Sequence, residues 1–140
     1  MTRAALLAVV VVMVLTLPAP SSAQEAPQLD FEFFRTRVEP IFLAKRKGLA
    51  RCYACHGQGT PFRLQPLQAG SMSWNESDSR RNFEATLRLV VPGNPAASRL
   101  LTMPLAADAG GVAFHPGGKH WSSQDAPEWQ TLAAWVRGAK

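Results

Sequence analysis

From Leu29 onward the apolar positions Phe31, Phe34, Val38, Ile41 and Phe42 recur at spacings of three, four, three and one. That is helical periodicity with an aromatic face, and Asp30 is placed to cap its start. Pro40 falls inside the pattern and is expected to kink the helix or divide it, because proline has no amide to donate there. The basic run Lys45-Arg46-Lys47 follows, and Gly48 is expected to end the helix. A second helix is predicted to open at Asp78 or Ser79, to bury Phe83, Leu87, Val90 and Val91, and to stop at Pro92-Gly93. Asn94-Pro95 starts a short helix over 96–101, with proline at the tolerated first position. The last helix is predicted from Asp125-Ala-Pro-Glu128, a capping-box arrangement, and buries Trp129, Leu132, Ala133 and Val136. The stretches 58–74 and 102–123 carry glycine and proline without a sustained period and read as loops. No segment alternates as a strand does, so the expected fold is all-α, with four to five helices and long loops.

The N-terminus changes this picture. Arg3 precedes an uncharged run from Ala4 to Leu17, and Pro18 to Ala23 is rich in small residues. This is the pattern of a cleaved secretory signal. A spanning helix needs about 20 apolar residues, and the prolines at 18 and 20 come too early for one. The expected organisation is a signal peptide over 1–23, a polar tail over 24–29 and one domain over 30–140. The expected location is the periplasm or another exported compartment, with no stable membrane span once the signal is cleaved. With 18% charged residues the chain does not read as disordered, and the apolar content outside the signal does not suit a multispanning membrane protein. The net charge of +5 falls to +4 on cleavage, which is moderate and does not call for a nucleic-acid partner. A domain this small gains from a cofactor in its core.

The two cysteines, Cys52 and Cys55, stand in the run Arg51-Cys-Tyr-Ala-Cys-His-Gly57. C-x-x-C-H in an exported chain is the attachment pattern of a c-type haem. Both thiols must reach vinyl-derived carbons on one porphyrin edge while the adjacent imidazole of His56 binds iron as proximal ligand, and one turn of chain accomplishes this. A thioredoxin-like pair uses the same spacing but wants a βαβ context. A zinc site needs about four ligands, and beyond Cys52, Cys55 and His56 only His115 and His120 are plausible donors. A disulfide across two residues is strained and closes almost no loop.

An aromatic helix containing Val-Glu-Pro-Ile-Phe (38–42), then C-x-x-C-H, a long loop, Val-Val-Pro-Gly-Asn-Pro (90–95), Ser-Arg-Leu-Leu (98–101) and a closing helix resembles the single-haem cytochrome c domains of exported planctomycete and acidobacterial proteins. The likeness covers nearly all of the chain after the signal. It implies a class I cytochrome c-like fold around one covalent haem c, with the first and last helices crossing beside it. Phe34, Phe42 and Trp129 or Trp135 are the candidates for that crossing.

The sixth ligand is expected from Met72, Met103, His115 or His120. In the class I plan the distal ligand arrives on the loop before the last helix. His115 lies ten residues ahead of Asp125, room for a loop to cross the ring face and return, and Phe114-His-Pro-Gly-Gly-Lys119 resembles a His-Gly-Gly segment of the related domains. His115 is therefore the expected distal ligand and Met103, in a Met-Pro pair, the alternative. The expected function is periplasmic electron transfer rather than enzymatic catalysis. The competing class is a haem enzyme or gas sensor, peroxidase-like, which needs a vacant sixth position. Lys45, Arg46, Lys47 and Arg51, close before the motif and without an intervening acid, are expected to steer an acidic redox protein to the haem edge. The other reading of that run is a solvated helix end.

Overall fold

The computed structural model describes residues 25–140, so the expected signal peptide over 1–23 lies outside the described residues. The first helix, α1, is continuous and consists of three stretches, Phe31–Phe33, Phe34–Val38 and Glu39–Leu43. The Asp30 carboxylate accepts from the amide of Phe33 at 2.6 Å, the expected cap. Pro40 does not divide the helix. The turn ahead of it widens to a π-turn, with the amide of Glu39 donating to the carbonyl of Phe34, and this gives the proline ring room. Phe34, Val38, Ile41 and Phe42 consequently all remain buried.

The basic run departs from expectation, because α1 ends at Leu43 and 45–48 form a separate turn in which Leu49 donates to Arg46 and Gly48 takes φ 75°. It is not a helix end, and the helix dipole does not account for its charge.

The C-x-x-C-H run forms α2, Cys52–His56. After a loop, α3 spans Glu76–Leu87, two residues ahead of the predicted start. Asn75 supplies the cap, its side-chain oxygen accepting from Asp78 at 2.9 Å. Asp78 and Ser79 are then free for other work: Asp78 pairs with Arg81, and the buried Ser79 hydroxyl donates to Glu39 at 2.7 Å. Because α3 stops at Leu87, Val90 and Val91 lie beyond it, and Val91 is exposed. The helix expected over 96–101 is two pieces, a 3₁₀ turn at Pro95–Ala97 and α4 at Arg99–Thr102. Ser98 separates them in extended backbone, where its hydroxyl donates to Asn94 and accepts from the amide of Val91.

The last helix, α5, spans Pro127–Val136, with Ala126 at its cap and no side-chain cap bond. The capping box does not form, because Glu128 is drawn instead to Arg46 and to the indole of Trp121. Among the described residues there is no strand, only two isolated bridges, Arg46 with Leu49 and Leu105 with Trp121.

Helices α1 and α5 cross through Phe34, whose ring lies 5.3 Å from Trp135 and 5.3 Å from Phe83 of α3. The Trp135 indole donates to the carbonyl of Asp30 at 2.9 Å, fixing the register of the crossing. A buried polar link runs from α1 through α3 to the loop after α2. Glu39 accepts from Ser79 and from Asn82, and Asn82 accepts from the amide of Gln65 at 2.7 Å. Burial raises the pKa of Glu39 against the pull of these two donors. The link holds in place the loop that continues from α2.

Candidate functional site

Between these elements lies a cavity of about 520 Å³. Its apolar walls come from Ile41 and Phe42 of α1, Leu89 and Leu100 around α4, and Leu132 of α5. Cys52, Cys55 and His56 line one side, and His115, Gly117 and His120 of the long second loop line another. Neither cysteine is in a disulfide; Cys55 is exposed and Cys52 half-buried. Burial raises the pKa of the Cys52 thiol, while the Arg46 guanidinium nearby pulls the other way.

The two histidines face one another. The His56 and His115 ring centroids are 6.3 Å apart with their planes within 12° of parallel. His56 Nδ1 lies 2.9 Å from the carbonyl oxygen of Phe62 and His115 Nδ1 lies 2.7 Å from that of Gly118. A carbonyl only accepts, so both imidazoles donate from Nδ1 and keep the Nε2 lone pair for a metal. Two imidazoles that bind one metal atom through Nε2 from opposite sides, each at about 2.1 Å, hold their centroids about 6.5 Å apart. The observed spacing fits. Burial lowers the pKa of His56, which favours the neutral form that a ligand requires.

The other candidate donors are placed less well. Met103 and His120 also line the cavity. The His120 ring stands against His115 at 6.3 Å with the planes 58° apart, and its Nδ1 is buried without a partner. Met72 is 92% exposed and lines no part of this cavity, so it drops out as a ligand. Among the described residues no group of three or more His, Cys, Asp and Glu side chains is placed to hold a metal ion.

Arg46 is the principal correction to the expected docking patch. Its guanidinium pairs with Glu128 of α5 at 2.6 Å and donates to the carbonyl of Ile41, leaving the side chain 13% exposed. It ties the turn before α2 to the last helix. Lys45 and Lys47 are exposed, and Arg51 lines the cavity.

Sequence patterning did not point to three further arginines in the lining, Arg63, Arg88 and Arg99. Arg88 and Arg99 come together because the amide of Leu100 donates to the carbonyl of Leu89 across the end of α3 and the start of α4. Spaced eleven residues apart, they carry no local signal. No acid lines the cavity, and none of its four arginines forms an ion pair among the described residues.

No protein-family model matches the chain, and no curated protein or solved structure matches it. Among the described residues no helix is long and apolar enough to cross a membrane.

Proposed function

We propose that this protein is an exported electron carrier, or an electron-transfer subunit, that holds one c-type haem through Cys52 and Cys55. His56 and His115 would hold its iron. The observation that carries this reading is the pair of near-parallel imidazoles 6.3 Å apart, each with Nδ1 engaged by a carbonyl, in a cavity edged by both cysteines. When bound, the haem supplies reversible one-electron exchange at iron. The chain's own residues do the rest. The carbonyls of Phe62 and Gly118 orient the imidazoles, and the apolar walls from α1, α4 and α5 exclude water. The four unpaired guanidiniums offer counter-charges to the two carboxylates that a porphyrin carries. Two nitrogen ligands hold the potential below that of a methionine-ligated site.

The test is direct. Expressed with an export signal in cells that mature c-type cytochromes, the denatured protein is expected to weigh one haem more than its polypeptide. Its spectrum is expected to be low-spin in both oxidation states. A bare polypeptide mass, or haem extracted by acidified organic solvent, would remove the covalent assignment; high-spin iron would favour the enzyme or sensor class.

Docking follows from the basic residues just ahead of α2. The exposed Lys45 and Lys47, with Arg51 at the cavity, steer an acidic redox protein to that end of the molecule. Electron exchange with such a partner is expected to slow steeply with salt, as the Debye length falls from about 10 Å at 0.1 M to about 3 Å at 1 M. Lys45→Glu with Lys47→Glu is expected to flatten that dependence and leave the haem spectrum unchanged. Stopped-flow rates indifferent to both changes would assign these lysines to solvation alone.

A further inference from the structure

The loop that carries His115 is fastened at its base and loose at its tip. At the base, Ala106 donates to Trp121 at 2.8 Å, His120 to Pro104 at 2.7 Å, Gly111 to Ala106 at 2.9 Å and Val112 to Thr102 at 3.0 Å. Gly111 is packed so closely that a Cβ there would lie 2.0 Å from the carbonyl oxygen of Leu105, so this base accepts no side chain at that point. Beyond Val112 the backbone fastening thins. The amides of Ala113, Phe114, His115 and Gly117 donate no hydrogen bond among the described residues, Pro116 has none to donate, and Phe114 is 75% exposed. His115 is held within its own turn, where Gly118 donates to the His115 carbonyl at 2.9 Å and its carbonyl accepts from Nδ1 at 2.7 Å.

Lys119 stands where the tip rejoins the base. Its ammonium donates to the carbonyl of Met103, at 2.9 Å, and to that of Val112. Two of its three donors thus join the outgoing limb of the loop and the end of α4 to the returning limb, immediately after the turn that presents His115. A surface lysine would be solvated; this one is half-buried and spends its donors on backbone carbonyls from two other places in the chain.

We infer that Lys119 is the latch of the distal loop. It is a positioning residue that keeps His115 across from His56 and so keeps small external ligands out of the sixth position. This rests on the haem reading above. It deepens that reading by placing the difference between a closed carrier and a ligand-binding haem protein in one side chain that touches neither ring.

The probe is carbon monoxide mixed with the reduced holoprotein in a stopped-flow spectrometer. In the unaltered protein its binding waits on release of His115 and is slow. Hydrogen bonds to a charged group weigh roughly one to two factors of ten in an equilibrium, so Lys119→Met is expected to accelerate binding about ten- to a hundred-fold, with the covalent mass and the helical circular dichroism unchanged. Lys119→Arg keeps charged donors at this position and is expected to restore slow binding, which a general loss of packing would not predict. Should Lys119→Met fail to accumulate as holoprotein, Lys119→Gln, with one amide donor, is expected to give an intermediate rate. His115→Ala sets the fast limit and separates the two claims. A low-spin parent with fast-binding His115→Ala but an unchanged Lys119 series would overturn the latch and leave the ligand assignment standing. A parent that binds carbon monoxide as fast as His115→Ala would overturn both.

Discussion

Replacing both Cys52 and Cys55 by alanine is expected to leave a chain that does not acquire haem and is mostly unfolded. The walls of the cavity are core residues: Phe42, Leu100 and Leu132 pack on the helix crossing from one side and border the cavity on the other. In the alanine variant these walls border a cleft of about 520 Å³ that no apolar ring fills, so the burial such a ring would supply is lost to the core. Far-ultraviolet circular dichroism and a thermal scan on the exported variant provide the measurement. A cooperative transition at the parent's temperature would mean that the core is complete without the haem.

His115→Ala is expected to convert the iron from low-spin to high-spin or five-coordinate, the largest spectroscopic change available to a single substitution here. Met103→Ala is expected to cost packing alone, about 2 kcal/mol, the low end for a residue only half-buried. The two ligands leave different optical signatures, so the comparison is decisive. A sulfur-to-iron absorption band at the red end of the oxidised spectrum, lost in Met103→Ala and retained in His115→Ala, would reverse the assignment. His120→Ala belongs in the same series, because the His120 ring also lines the cavity, and it is expected to leave the spectrum low-spin.

What the chain reveals before folding, and what it hides, divides by sequence distance. Asp30 caps the residues beside it, the aromatic face of α1 is a local period, and the C-x-x-C-H run of α2 is five consecutive residues. All three are legible because the interactions behind them span a turn or two. Arg46 read as part of a basic patch because its partner Glu128 lies 82 positions away, in a segment that itself read as a capping box. One long-range ion pair therefore misplaces two local readings together. Ser79 shows the same exchange: a plausible cap by sequence, it is spent on buried Glu39 because Asn75 caps first. The glycine-rich context of His115 marks it as a candidate, and the structure brings it to the cavity beside His56, whereas Lys119, four residues on, gives no signal until the carbonyls of Met103 and Val112 are brought beside it.

The wide turn at Phe34–Val38 has a consequence for chain length. It accommodates one residue more than a regular turn, so a variant lacking Thr36 is expected to close it to an ordinary α-turn and to leave the helix on either side near its present bearing. The Trp135 indole is then expected to keep the carbonyl of Asp30, and the cost falls on Pro40, whose ring meets the carbonyl four residues before it. A deletion among the regular turns of α1 has no such slack and rotates Asp30 by about 100° away from that indole.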